Sequence, residues 1–300
     1  MSLSAPVTNI ARGSLHDGEG IRTVVYLKGC GLRCKWCHNP ETLKRAPETV
    51  FTESKCIKCG RCAEVCPEHH FIEDDSLVFE RDGCISCGKC ADACPSGAIS
   101  VIGEKKTSDE ILEEIKKDIH FYAATGGGVT FSGGECLLYP DFIAETARKC
   151  RELGINVAVE SAFFVPWENV EKVIPYVDTF FADVKAGTSE THIKYTGQDN
   201  FLIIENIKKL TKQRKEVIIR IPVIPGANDS DKEIFAIAEI VKNLKNGVKY
   251  VELLKYNNLA GSKYKMIGAE YTNFAAEPQT DEVMRELAKR ISSLCGVKCI

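Results

Sequence analysis

Eight cysteines fall into two copies of one pattern. Cys56, Cys59, Cys62 and Cys66 with Pro67, and Cys84, Cys87, Cys90 and Cys94 with Pro95, each read C-x2-C-x2-C-x3-C-P. Spacings this short force three thiols around one small volume, and the proline turns the chain away after the fourth. A third set, Cys30, Cys34 and Cys37, reads C-x3-C-x2-C and follows the strand candidate Thr23–Leu27. Three soft thiolate donors on a four-iron cluster leave one iron without a protein ligand, which is what a cluster needs if it is also to bind a substrate. Zinc remains an alternative for each set, with His38 as a remote fourth ligand for the third, and reduced structural thiols are another for the two runs.

The rest of the chain is ordinary. It has 300 residues, 15 of them cysteine, 44% hydrophobic and 27% charged, with a formal charge of -3. Such a chain buries a substantial core and is not disordered. The charge balance gives no global reason to expect nucleic acid or an anionic membrane as partner. No apolar run approaches membrane-spanning length, and the first residues lack the apolar core of a signal peptide, so the expected setting is the reducing cytoplasm. There, clustered cysteines read as metal ligands rather than disulfides.

The elements that must position these residues follow from periodicity. Residues 108–122 read as an amphipathic helix with Ile111, Leu112, Ile115 and Ile119 on one face. Strands are expected at 128–131, 156–160, 179–183, 216–221 and 250–254. Helices are expected near 140–153, 167–175, 200–213, 230–244 and 280–294. With Thr23–Leu27 this makes about six strands in repeated βα units, hence a parallel sheet covered by helices. Six strands suit an incomplete barrel better than a closed one, and a doubly wound open sheet is the alternative. Either places function at the C-terminal strand ends. The cysteine repeat, at an offset of 28 residues, interrupts this rhythm. The expected organisation is 1–47 as the first part of the barrel, 48–103 as an insert, and 104–300 as the remainder.

Several unusual residues fall at those strand ends. Gly133-Gly134-Glu135 follows the strand at 128–131, and glycine permits close backbone approach. Glu160 and Ser161 end the next strand. Asp183 and Lys185, two apart, share a face at the end of the fourth, as a functional pair or a plain ion pair. Arg220 sits between apolar neighbours in the fifth and needs a partner.

The two runs resemble those of bacterial two-cluster ferredoxins, where the fourth cysteine of each run ligates the other cluster. That implies Cys56, Cys59, Cys62 and Cys94 around one [4Fe–4S] centre and Cys84, Cys87, Cys90 and Cys66 around the other. On a larger scale, HDGEGIRTVVYLKGCGLRCKWCHNPE, FSGGECL, FADVK, IRIPVIPGAND and VELLKYNNLAG, from His16 to past Leu259, resemble the radical S-adenosylmethionine (SAM) enzymes. Specifically they resemble the glycyl-radical-enzyme activating enzymes, in the subgroup carrying two extra ferredoxin-type clusters.

The resemblance implies a partial (β/α)6 TIM-like barrel with an inserted ferredoxin-like domain. It implies three [4Fe–4S] clusters, SAM on the unique iron of the Cys30, Cys34 and Cys37 cluster, and a glycyl radical enzyme as protein substrate. A flavodoxin or ferredoxin would be the electron donor, and a monovalent cation near SAM is a further option. Gly133, Gly134 and Glu135 would meet the methionine ammonium, and Glu160 with Ser161 the amino acid moiety. Asp183 would contact the ribose and Lys185 the carboxylate. Arg220 would pair with SAM or Asp183, and Trp36 and Leu254 would pack on adenine. Asp17 and Arg22 would face the incoming peptide loop.

Departures from the family are Asp17-Gly18-Glu19-Gly20 for the usual DGPG, Cys136 after GGE, Ser161-Ala162-Phe163 for the usual Thr-Asn/Ser-Gly, and Asn257 in place of a ribose-side histidine. Two other functions remain open on sequence. One is a radical SAM enzyme acting on a small molecule or another peptide, and the other is a ferredoxin-like electron carrier. Cys136, Cys150, Cys295 and Cys299 read as structural thiols, and His69, His70 and His120 as solvent or turn residues.

Overall fold

The structure, a computed structural model, describes residues 2–74, 76–270, 274 and 277–300. Its strands are β1 (Ser4–Ser14), β2 (Arg22–Leu27), β3 (Glu48–Phe51), β4 (His70–Glu73), β5 (Ser76–Phe79), β6 (Ile99–Ile102), β7 (Glu104–Thr107), β8 (Gly128–Gly133), β9 (Asn156–Ser161), β10 (Thr179–Asp183), β11 (Glu216–Val223) and β12 (Tyr250–Lys255). Its helices are α1 (Arg61–Val65), α2 (Lys89–Asp92), α3 (Ser108–Lys116), α4 (Ile119–Thr125), α5 (Pro140–Glu152), α6 (Trp167–Val173), α7 (Ser189–Thr196), α8 (Phe201–Leu210), α9 (Asp231–Leu244), α10 (Gly261–Met266) and α11 (Asp281–Cys295).

Six strands, β2-β8-β9-β10-β11-β12, run parallel in that spatial order, and β1 and β7 extend the sheet antiparallel beyond β2. This is the α/β sheet of a partial barrel. Period-two alternation gives it two faces. Val129, Phe131, Val157, Val159, Phe180, Ala182, Val217, Ile219 and Val251 join the main core under the helices. Their neighbours in sequence, Ala158, Phe181, Ile218 and Tyr250, form a separate small cluster on the opposite, concave face. The polar strand-end residues continue that second row.

The expectations for the parallel strands hold to within two residues. The two added strands and α7 had no clear signal. In β1 only Ala5, Pro6 and Val7 are buried, so alternation is weak. The helix expected over 108–122 is two helices. The chain breaks at Asp118, whose carboxylate accepts hydrogen bonds from Arg12 and, at 2.8 Å, from the Thr23 hydroxyl. Thr107 caps α3 in a capping box with Glu110.

Between β2 and β7 the chain makes a separate small unit. β3 pairs antiparallel with β6, β4 with β5, and α1 packs on α2. The repeat seen in sequence is repeated in the backbone. Lys58 and Ser86 both take left-handed conformations, at φ 56° and 53°, and Gly60 and Gly88 cap the two short helices at φ 74° and 85°. His70 is not a solvent residue. It is 1% exposed and its ring stacks on Phe79.

Arg22 also departs from expectation. It is 1% exposed, so it cannot face a partner's peptide. Its Nε donates to Thr130 Oγ1 at 2.6 Å, and its Nη atoms reach Val129 O, Glu19 O and Asn156 Oδ1. Burial pushes its pKa down to about 10. Substituting Arg22→Met would strand these acceptors, and we expect a loss of about 3 kcal/mol of stability. An unchanged urea midpoint, measured anaerobically by circular dichroism, would rule this out.

Candidate active site

At the C-terminal ends of the parallel strands lies a cavity of about 460 Å³. Cys30, Cys34, Trp36 and Cys37 from the loop after β2 form one wall. Gly133, Gly134, Glu160, Ser161, Asp183, Lys185, Leu254 and Asn257 form the others. Residues scattered over more than 220 positions of sequence are thus brought to one space by strand order alone.

The cysteine loop is held by backbone. Gly29 N donates to Thr42 O (2.6 Å), Cys30 N to Leu43 O (3.2 Å), Arg33 N to Thr196 O (2.8 Å) and Lys35 N to Tyr195 O (2.9 Å). The last two acceptors close α7, so the helix missing from the sequence reading is a support of this loop. Gly133 and Gly134 seat against it. A Cβ at Gly133 would stand 2.2 Å from Leu27 O, and one at Gly134 2.4 Å from Gly29 O. Gly133 also has φ 122°, which favours glycine.

Three acidic groups take different roles. Glu135 is 1% exposed and does not line the cavity. Its carboxylate accepts from Ser161 Oγ (2.7 Å), Leu137 N and Ala162 N (both 3.2 Å), fixing the turn after β8 to the end of β9. Glu160 accepts from Ser132 Oγ at 2.7 Å. The acid–hydroxyl neighbours Glu160 and Ser161 are therefore not partners of each other, since each bonds across to the β8 side. Asp183 accepts from Lys185 Nζ at 2.8 Å through Oδ2, while its buried Oδ1 has no partner. Burial opposes the Lys185 ammonium, but Asp183 and the Cys34 sulfur outweigh it and raise its pKa.

Arg220 does not pair with Asp183. Although the two are level across β10 and β11, Arg220 donates to Glu160 Oε1 and Glu252 Oε2, both at 2.8 Å, and to His16 O. Its guanidinium lies 4.0 Å over the Phe181 ring. It is 3% exposed and sits behind the cavity wall. Burial works against the Glu160 carboxylate, yet Arg220 holds its pKa below the usual value.

Trp36 packs with Ile224, Ala227 and Tyr256 and is ringed by Tyr195 and Phe274. Sequence reasoning missed Ser132 and gave His38 only as a metal ligand. His38 lines the cavity beside Asn257, whose amide is 3.4 Å from Nδ1. Its place right after Cys37 was the available signal.

The donor sets suit iron–sulfur clusters. Burial pushes the thiols of Cys30, Cys34 and Cys37 each to about 11, so they shed protons only to a cationic centre. All three face one cavity with no fourth cysteine in its lining. A second, apolar cavity is lined by Cys56, Cys59 and Cys62 together with Cys94 of the other run, between Ile57, Ile72, Leu77 and Ile99. Cys90, pushed to about 11 chiefly by burial, has Cys66 and Cys84 as near neighbours. Among the described residues no three His, Cys, Asp or Glu side chains form a single-ion site.

Glu135 gives a test of this geometry. Burial raises its pKa from 4.5 to about 7, partly offset by Ser161 and the Leu137 N–H. Between those values the folded state keeps a proton that the unfolded state has lost. Stability from this group is therefore highest below pH 4.5 and falls as pH rises to 7, by about 3 kcal/mol at most. Glu135→Gln should remove that slope, as read from denaturation midpoints between pH 5 and 8. A variant with the same slope as the parent would contradict the assignment.

Comparison with known proteins agrees with this geometry. The radical SAM superfamily pattern matches residues 24–238. The chain is 40% identical over 280 residues to the (2S)-3-sulfopropanediol dehydratase activating enzyme of Klebsiella oxytoca, covering 90% of this chain and 88% of that one. It is 40% identical over 273 residues to the choline trimethylamine-lyase activating enzyme of Oleidesulfovibrio alaskensis, covering 89% and 88%. A solved radical SAM methyltransferase from Sphaerobacter thermophilus shares the fold, with TM-score 0.56 and 13% identity over 99% of this chain and 76% of that one. A cavity walled by three loop cysteines at the strand ends and relatives of this kind lead to one conclusion: the chain belongs to the radical SAM superfamily and, within it, to the enzymes that activate glycyl radical enzymes.

Proposed function

We propose that the chain binds SAM in the strand-end cavity, on an open iron of a [4Fe–4S] cluster held by Cys30, Cys34 and Cys37, and activates a glycyl radical lyase, dehydratase or decarboxylase. The observation that carries this is the cavity itself: three cysteines of one loop face the Asp183–Lys185 pair across a space of about 460 Å³. When bound, the cluster supplies one electron to SAM, whose S–C5′ bond breaks to give methionine and a 5′-deoxyadenosyl radical that takes a hydrogen atom from a glycine Cα of the partner.

The chain's own residues orient that exchange. Lys185, kept cationic, neutralises a substrate carboxylate. The unpartnered Asp183 Oδ1 accepts a hydrogen bond from a ribose hydroxyl. Gly133 and Gly134 bring main chain against the amino acid end. Trp36, Leu254 and Asn257 bound the adenine end and exclude water. Arg220 acts from behind, holding Glu160 ionised and in place. Such positioning suppresses side reactions of a reactive species.

We further propose that residues 48–103 form a ferredoxin-like insert with two more clusters. The sets are Cys56, Cys59, Cys62 and Cys94, and Cys84, Cys87, Cys90 and Cys66. The mixed-run lining of the apolar cavity supports this crossing. Loaded protein then carries about 12 irons, and a count of about 4 would reject the insert reading while leaving the activase reading intact.

Anaerobic incubation with SAM, a reductant and the cognate glycyl radical enzyme should produce a glycine-centred EPR signal. Its absence with intact clusters would overturn the assignment of partner. Asp183→Asn should keep its iron yet slow SAM cleavage by about 10²-fold, measured as 5′-deoxyadenosine formed. An undiminished rate would remove Asp183 from the site.

A further inference from the structure

The two cysteine runs repeat each other in sequence and in backbone, but one position of the repeat carries opposite charges. Cys56 N donates to Glu53 O at 2.9 Å, and 28 residues on Cys84 N donates to Arg81 O at 3.1 Å. Glu53 and Arg81 thus stand at the same place, three residues before the first cysteine of each run. Glu53 is exposed, whereas Arg81 is half-buried.

Arg81 is fixed from several sides. Its Nη1 donates to Thr49 O at 2.8 Å and its Nη2 to Met266 O of α10 at 2.9 Å. Its guanidinium lies 4.3 Å over the Phe79 ring, and Phe79 stacks on His70 at 4.5 Å. A Cβ at Gly268 would stand 2.1 Å from its Nε, so main chain closes on it there. This stack runs between two cysteines of the proposed second set. His70 N donates to Cys66 O at 3.0 Å, and Thr49, which holds Arg81, has its hydroxyl 3.9 Å from Cys84 Sγ. Burial opposes the Arg81 charge, while Glu48 and Cys84 favour it.

The other charges on these segments are of a different kind. Glu48 is engaged by Lys28 and Lys44. Glu80, Asp82, Lys89 and Asp92 are exposed, where solvent and salt screen them. Hydroxyls do not distinguish the two sets, since Ser96 Oγ lies 3.7 Å from Cys94 Sγ much as Thr49 lies by Cys84. The fixed guanidinium does. A cation held beside an iron–sulfur cluster stabilises its more negative, reduced form.

Resting on the reading that both runs hold clusters, we propose that Arg81 tunes the cluster of Cys66, Cys84, Cys87 and Cys90, making it easier to reduce than the same site without that charge. The step it biases is transfer of one electron from a low-potential one-electron donor. The donor is oxidised by one electron, the cluster is reduced by one, and no bond forms or breaks.

The test is an anaerobic redox titration of the reconstituted protein with dithionite and mediators, followed by EPR. In Arg81→Gln one of three midpoints is expected to fall, making reduction about tenfold less favourable, or about 59 mV for one electron. The other two should stay parental. Arg81→Lys keeps the charge and should show a clearly smaller fall. Glu53→Gln, at the exposed equivalent position, should leave all three in place. Arg81→Met keeps the contact with Phe79, should fall as Arg81→Gln does, and decides the matter where the latter loses iron. Parental midpoints in the neutral variants with full iron would overturn the proposal. So would an equal fall in Arg81→Lys, or an equal shift in Glu53→Gln. An iron count of about 4 in the parent would instead sink the reading beneath it.

Discussion

Everything at the site depends on two backbones touching. The ends of β2 and β8 meet so closely that Leu27 O and Gly29 O accept from Gly134 N (3.0 Å) and Glu135 N (2.7 Å). No side chain fits between them, which is why two glycines stand there. The same contact carries the cysteine loop over the open end of the sheet and turns the Glu135 carboxylate inward to hold the end of β9. A shift of one ångström here would move the cysteines relative to Asp183 and Lys185 together, and reacting groups tolerate little of that.

Below the cavity, the buried Arg220 charge is paired on both sides. Arg220 sits between Glu160 and Glu252 and closes on His16 O, while Lys249 pairs with Glu19 at 3.0 Å. The turn between β1 and β2 is thereby drawn to the far strands of the sheet. Burying Arg220 is costly unless it is paired and hydrogen-bonded, whereas the Lys249–Glu19 pair is exposed and only tethers the turn. Lys185 and Asp183 stand one layer above, facing the cavity, and Asp183 keeps an oxygen unpaired there. The satisfied layer supports the unsatisfied one.

Much of this was legible in the sequence. The parallel strands showed because a strand buried on one side by helices and on the other by a small apolar cluster is a short, nearly continuous β-branched run. The strand-end residues showed because they break such runs with polar types. What did not show was pairing. Arg220 was expected, from the family resemblance, to pair with SAM or Asp183, but Lys185 reaches Asp183 from only two residues away and leaves Arg220 to Glu160 and Glu252. Sequence cannot rank partners that lie at similar reach. Arg22 and His70 were misread for a related reason. Polar types were assigned to the surface, yet Arg22 is buried by a ring of carbonyls and His70 by stacking on Phe79. The helix α7 opens on four polar residues, the fourth the buried His192, so its amphipathic signal was faint.

The unit between β2 and β7 is anchored at Lys28. Its side chain is fully buried, and its Nζ donates to Glu41 O and Glu48 Oε2, each at 2.6 Å. A Cβ at Gly103 would stand 2.3 Å from its Cδ, and Tyr139 donates to its carbonyl. One lysine therefore meets both β3 and the glycine that follows β6, while its own backbone leads into the cysteine loop. An unpaired ammonium there would be prohibitive, so the Glu48 partner is obligatory. Glu48 in turn is held ionised against its burial by Lys28 and Lys44. A unit tied in this way cannot swing freely about its two connections. Any group held by Cys84, beside Thr49, keeps a fixed relation to the site next to Cys30.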